Sequence, residues 1–243
     1  GFYAVVPFLA LFLRDDMLLS GGLIGLILGL RTFSQQGMFI LGGTLADRYG
    51  AKAIILAGCV VRVAGFLLLA CGASLWPIIL GACLTGVGGA LFSPSIEALL
   101  ARAGTHSQAN GKRSRAEWFA LFAVCGELGA VIGPVAGGVL SGIGFRHIAL
   151  AGAGIFLLAL AVLFFCLPAD GHTTTTRRRV PWWTPLRQPR FVAFILAYSS
   201  WLLSYNQLYL ALPVEIQRSG GREQDLAPLF MLASLLIITL QLP

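Results

Sequence analysis

Charge is the scarcest thing in this sequence. Of 243 residues only 11% are Asp, Glu, Lys or Arg, where soluble domains of this size carry about 25%. A chain so poor in charge can hardly cover a water-facing surface, which argues against a soluble globular domain. Strands that alternate apolar and polar residues are also missing, which argues against an outer-membrane barrel. Metal and redox spacings are missing as well. Cys59, Cys71, Cys83, Cys125 and Cys166 all fall inside apolar runs and read as reduced, small hydrophobic residues. His106, His147 and His172 lie in predicted loops with no second ligand at metal spacing. No nucleophile elbow, phosphate loop or pair of catalytic carboxylates stands out, so the expectation is a protein that is not an enzyme and uses no cofactor and no metal. The run GVGGA at 86–90 resembles a nucleotide loop at first sight, but it lies within an apolar run and no lysine follows it.

What the sequence does have is apolar length. Hydrophobic residues make up 57% of the chain and the mean hydropathy is +0.84. Several runs reach the ~20 residues that cross a bilayer as a helix, so the chain reads as an all-α, multi-pass membrane protein. A first run, 1–13, is too short to span and reads as the tail of a first helix. Further spans are expected at about 21–45, 53–73, 76–101, 118–143, 148–167 and 191–214, with the start of an eighth at 226–243. Within the second, the Gly25/Gly29 spacing suits close approach to a neighbouring helix. The chain begins at Gly1 rather than Met and stops at Pro243, both inside apolar runs. It therefore reads as a piece of a longer protein, in which no signal peptide can be judged.

Residues 168–190 break the apolar pattern with a Thr run, Arg177-Arg178-Arg179, three further prolines beyond Pro168 and Trp182-Trp183. They read either as a linker resting at lipid headgroups or as a disordered polar connection. The expected division is therefore 1–167, the linker 168–190, and 191–243. The formal charge of +7 invites a nucleic-acid reading, but its distribution follows membrane topology. Arg48, Lys52, Arg102, Lys112, Arg113, Arg115, Arg177, Arg178, Arg179, Arg187 and Arg190 fall on one side, against Arg14, Arg146, Arg218 and Arg222 on the other. That bias places the 43–52 turn, the polar loop 102–117 and the 168–190 linker in the cytoplasm, with no nucleic acid as partner.

Residues 43–52 read GTLADRYGAK, a charged ten-residue turn between two apolar runs. With six spans, a basic linker and further spans around it, the chain resembles the major facilitator superfamily. The signature of that family between its second and third helices is G-x-L-[AS]-D-[RK]-x-G-[RK]-[RK]. Gly43, Leu45, Ala46, Asp47, Arg48, Gly50 and Lys52 match it, and Ala51 departs, because a basic residue is usual there. Gly50 suits a positive φ. The resemblance implies that Asp47 faces the N-terminal end of a helix from the opposite half and makes the turn a latch between conformations. The competing reading is a well-capped turn with no switching role.

Two further stretches carry the resemblance. The fifth span holds Gly129, Gly133, Pro134, Gly137 and Gly138 in a pattern similar to that of the family's drug:proton antiporters. Gly129, Gly133 and Gly137 form one ridge and Gly126, Ala130, Pro134 and Gly138 the adjoining row, suited to tight packing and a bend; ordinary helix packing is the other reading. Residues 27–66 resemble a bacterial multidrug-exporter subfamily, sharing an Arg and a Gln-Gln-Gly in the second span and an Arg in the third. These likenesses imply the major facilitator fold, two six-helix halves with the second truncated here, working by alternating access. They imply a secondary active transporter of the bacterial inner (plasma) membrane, a 12-span antiporter for multidrug efflux. Its partners would be the lipid bilayer, an amphipathic small-molecule substrate and protons, with the protein a monomer. Transport of another solute (a sugar, metabolite or siderophore) is the nearest alternative, and a non-transporting scaffold or receptor a more distant one.

Polar groups inside spans are the mechanistic candidates, since a charge at mid-bilayer costs roughly 2.5–3.5 kcal/mol on insertion scales. Arg31 lies about 10 residues, or about 15 Å, from the outer end of its span, and Arg62 about as far from the inner end of its own. Gln35 shares a helix face with Arg31. Glu127, the carboxylate placed mid-membrane in the first six spans, can pair with Arg31 or Arg62 in one state and take a proton in another. It can equally serve as a fixed ion pair or a helix-packing group. Glu97 is expected at the depth of the 43–52 turn, paired with Arg48 or Lys52. Tyr198, Trp201, Tyr205 and Tyr209 recur at helical spacing with Asn206 beside them, which suits either a cavity for a planar ligand or an interface belt.

Overall fold

In the computed structural model the chain is described at residues 2–72, 74–109, 114–167 and 187–200, with isolated positions 204, 218, 219, 232, 235, 236 and 239. Every regular element among these residues is a helix. The chain packs as two units, residues 1–171 and 172–241. The first holds α1 (Phe2–Asp15), α2 (Gly21–Gln36), α3 (Phe39–Tyr49), α4 (Ala51–Cys71), α5 (Leu75–Ala109), α6 (Arg115–Ser141) and α7 (Phe145–Cys166). In the second, residues 189–200 are helical. The expected eighth span and most of the 168–190 linker lie outside the described residues.

Among the described residues, five helical stretches are long and apolar enough to cross a bilayer: α2 with α3 counted as one, then α4, α5, α6 and α7. The breaks between them have local causes. Gly50 ends α3 and begins α4 at φ +94°, and Gly144 opens α7 at φ +109°, both in the region that glycine enters without a Cβ penalty. The start of α6 is a capping box: Ser114 Oγ accepts from the Glu117 amide, and the Glu117 side chain reaches back to the Ser114 amide.

Three expectations about elements are corrected. The 43–52 segment is not a ten-residue turn: residues 43–49 are helical, and Gly50 alone breaks the helix. Asp47 and Arg48 are tolerated there because both stand on the exposed face, with Ala46 and Gly42 on the buried one. The second span is not continuous, because α2 stops at Gln36 and α3 restarts at Phe39 across Gly37-Met38. The polar loop 102–117 is largely helix, since α5 runs on to Ala109 and α6 starts at Arg115. At 1.5 Å per residue the 35 residues of α5 reach about 52 Å, well beyond a hydrocarbon core of about 30 Å.

Packing centres on α4 and α5, which cross on glycines. A Cβ added to Gly58 would lie 2.9 Å from the Gly88 carbonyl oxygen, and one on Gly65 would lie 2.8 Å from the Thr85 nitrogen. In lipid the gain from such contact is dispersion between close backbones rather than the hydrophobic effect. Val5, Leu9 and Leu13 of α1, Phe66 and Leu69 of α4, Ile78 of α5 and Ile148 of α7 fill the core around this crossing. Phe12 stacks on Phe145 at 4.5 Å and Phe66 on Phe156 at 5.6 Å between ring centroids. The Gly25/Gly29 pair does not make the expected close approach in this unit: nothing lies within 4 Å of a Cβ at either position.

Candidate functional site

Two polar features stand out in the first unit, one buried at mid-span and one at the helix ends near Gly50. The buried one joins α2, α4, α5 and α7. Arg31 is 5% exposed and Arg62 7%. One Arg31 Nη donates to Gln35 Oε1 at 3.0 Å, across the single helical turn that the sequence spacing anticipated. The Arg62 guanidinium lies 4.8 Å from the Phe156 ring centroid and 5.9 Å from that of Phe92. A desolvated cation over an aromatic face gains up to about 2 kcal/mol, which offsets part of its insertion cost.

The floor of this cluster is the GVGG run of α5. A Cβ at Gly89 would sit 2.5 Å from an Arg62 Nη and 3.0 Å from Gln35 Cδ. At Gly88 it would meet the Arg62 stem, and at Gly86 the Arg31 carbonyl and Ser34 Cβ, the last at 2.9 Å. The run dismissed as a nucleotide loop is therefore the Cβ-free bed on which two arginines and an amide converge. Arg31, Gln35 and Arg62 were legible as mid-span polar groups. Phe92 and Phe156 were missed, although Phe92 stands three residues after Gly89 on the same helix face.

Glu127 is half-buried on α6, a helix whose main neighbours are α1, α5 and α7. On the same helix Gly133 and Gly137 are buried, and a Cβ at Gly137 would meet the Phe8 ring and the Ala4 carbonyl of α1. Close packing of this ridge is thus realised at Gly137. Gly129 has open space around it, and Gly126, Pro134 and Gly138 of the adjoining row are exposed.

At the helix ends, Asp47 Oδ1 accepts from an Arg102 Nη at 3.5 Å, with both side chains more than half exposed. Arg102 was not anticipated as a partner; the continuation of α5 brings it there. Arg48 lies over the Tyr49 ring, 5.2 Å from its centroid. Lys52 Nζ donates to the Leu167 carbonyl at the end of α7. The expected pairing of Glu97 with Arg48 or Lys52 is not formed: Glu97 is exposed on α5 and has no salt bridge among the described residues. Ala51, where the signature usually carries a base, is fully buried at the start of α4. Gly43 and Leu45 lie on α3 within the signature, and Gly43 has no neighbour within 4 Å of a Cβ.

Of the aromatic stripe, Tyr198 is 55% exposed and stacks on Phe194 at 6.2 Å. Trp201, Tyr205 and Asn206 lie outside the described residues. Among the described residues no group of three or more His, Cys, Asp or Glu side chains is placed to hold a metal ion.

The profile of the Major Facilitator Superfamily matches residues 1–243. An uncharacterised MFS-type transporter of Mycobacterium tuberculosis is 37% identical over 247 residues, covering 100% of this chain and 57% of that protein. Multidrug resistance protein MdtH of Escherichia coli is 32% identical over 244 residues, covering 100% of this chain and 59% of that protein. The chain thus spans somewhat over half the length of these relatives.

Proposed function

This chain belongs to the major facilitator superfamily, and from that premise we propose that its protein exports amphipathic small molecules in exchange for protons. It is a multi-pass membrane protein with the all-α major facilitator architecture. The proposal places it in a bacterial plasma membrane with the Gly50 turn and the 168–190 linker on the cytoplasmic side, as the Lys and Arg bias requires. It works by alternating access, as a carrier rather than an enzyme, and as a monomer.

The observation that carries the reading is the buried cluster of Arg31, Gln35 and Arg62 at mid-span. Two guanidiniums in the bilayer interior are costly, and charged groups at that depth characteristically mark a solute or ion path. Whole-chain likeness to a multidrug resistance protein supports drugs as the substrate class. Within this reading Glu127 is the proton carrier on α6, and Asp47 with Arg48, Gly50, Lys52 and Arg102 forms the cytoplasmic gate. Tyr198, Trp201, Tyr205 and Asn206, three aromatic residues and one amide, are the candidates for contact with a planar amphipathic substrate. The second reading is transport of some other solute, which the family alone allows equally.

Dye accumulation in cells with and without the full-length protein, each with and without a proton uncoupler, tests the proposal. Lower accumulation that the uncoupler abolishes is the expected result. No uncoupler-sensitive difference with any of several cationic and neutral dyes would move the reading to another solute.

A further inference from the structure

Lys52 stands at the unfavourable end of its own helix. It is the second residue of α4, where unpaired amides and the helix dipole disfavour a cation. Its side chain runs to the favourable end of another. Nζ donates to the carbonyl of Leu167, the C-cap residue of α7, and lies 5.7 Å from the ring centroid of Phe164 one turn earlier. The two helices are antiparallel neighbours throughout: Arg62 lies over Phe156, and Gly152 faces Phe66. The start of α4 is therefore held beside the end of α7 by packing along the whole interface, and Lys52 completes it.

The Leu167 carbonyl is among the acceptors that a helix end leaves without an internal partner, and it lies at the negative pole of α7. A lysine satisfies both the missing hydrogen bond and the dipole, while its methylene stem covers apolar surface. Because Ala51 is buried where a second base would stand, this duty falls on Lys52 alone on the α4 side of Gly50.

We propose that Lys52 is a positioning residue that fixes the point where the chain leaves α7 to the turn that carries the signature. Lys52 follows the Gly50 hinge by two residues, and Asp47 precedes it by three. A displacement of the Asp47–Arg102 contact is thereby passed to the exit of the six-helix half, so that turn and exit move together during transport. The transport consequence rests on the proposed carrier function; the anchor itself does not.

Hydrogen exchange by mass spectrometry on the full-length protein in nanodiscs reads the anchor directly. In Lys52→Met, amides of residues 163–167 are expected to exchange about tenfold faster, the scale of one lost charge-assisted hydrogen bond. Lys52→Arg keeps donor and charge and is expected to restore most of the protection. Phe164→Leu, which keeps the carbonyl and removes the ring, is expected to speed exchange by about twofold. Peptides from residues 78–90 of α5 serve as the folding control and are expected to stay unchanged in all three. Unaltered exchange at 163–167 in Lys52→Met, or equal loss in Lys52→Arg, overturns the anchor. Efflux slowed in Lys52→Met and recovered in Lys52→Arg supports the coupling, and normal efflux in Lys52→Met with the anchor lost overturns it. Should the unaltered protein export nothing, the carrier reading falls while exchange still decides the anchor.

Discussion

Among the described glycines of the first unit, the one with least room for a Cβ is not in the family signature but immediately before it. Pro94 has no N–H, so the Ala90 carbonyl four residues earlier in α5 lacks its helical donor. Gly42 of α3 packs directly against that freed oxygen, and a Cβ at Gly42 would fall on it and lie 3.2 Å from Pro94 Cγ. A glycine Cα–H facing a carbonyl in this way is a weak but favourable contact. Gly42→Ala is therefore expected to destabilise the protein by about 1–3 kcal/mol, the usual cost of overpacking. The measurement is thermal unfolding in detergent, followed by size-exclusion chromatography. Gly43→Ala is the control: with open space at Gly43 in this unit, replacing a helical glycine is neutral or stabilising by up to about 1 kcal/mol. Gly42 was illegible in the sequence because its role is set by a carbonyl on another helix. Arg31, Gln35 and Arg62 were legible because a mid-span polar residue is conspicuous whatever surrounds it.

At the scale of elements, the sequence disclosed spans and misjudged their ends. Apolar length locates a helix but cannot say where it stops, since charged residues sit comfortably on a helix that has left the hydrocarbon. Asp47, Arg48 and Arg102 stand exposed on the last turns of α3 and the far part of α5, where their charge alone suggests a loop. The break at Gly37-Met38 was hidden for the opposite reason: the apolar run continues through it. What the helical ends create is an ion pair between α3 and α5 that solvent reaches from both sides. Exposed pairs contribute about 0–1 kcal/mol. Asp47→Asn is accordingly expected to leave unfolding within about 1 kcal/mol of the unaltered protein while abolishing efflux. Unchanged expression and unfolding, set beside dye efflux from the same cells, make the check. Efflux that persists would reduce the Asp47–Arg102 contact to a helix-end contact and remove the latch from the mechanism.

For the molecule as a whole, the charge distribution poses the sharper question. The first unit gathers two buried cations on α2 and α4 and carries a half-buried carboxylate, Glu127, on α6, a helix that packs on α1, α5 and α7. The proton-carrier role proposed for Glu127 is tested by replacing its carboxyl with an amide. Glu127→Gln mimics the protonated form permanently. It is expected to abolish efflux driven by a pH gradient in proteoliposomes of the full-length protein, while binding of substrate and exchange of labelled for unlabelled substrate across the membrane survive. A structural ion pair predicts a different pattern: an unpaired arginine would destabilise the fold by about 3–5 kcal/mol and impair exchange as well as driven efflux. Gradient-driven efflux that persists in Glu127→Gln excludes both roles, and leaves Glu127 as a packing residue on a helix whose glycine face at Gly137 already does that work against α1.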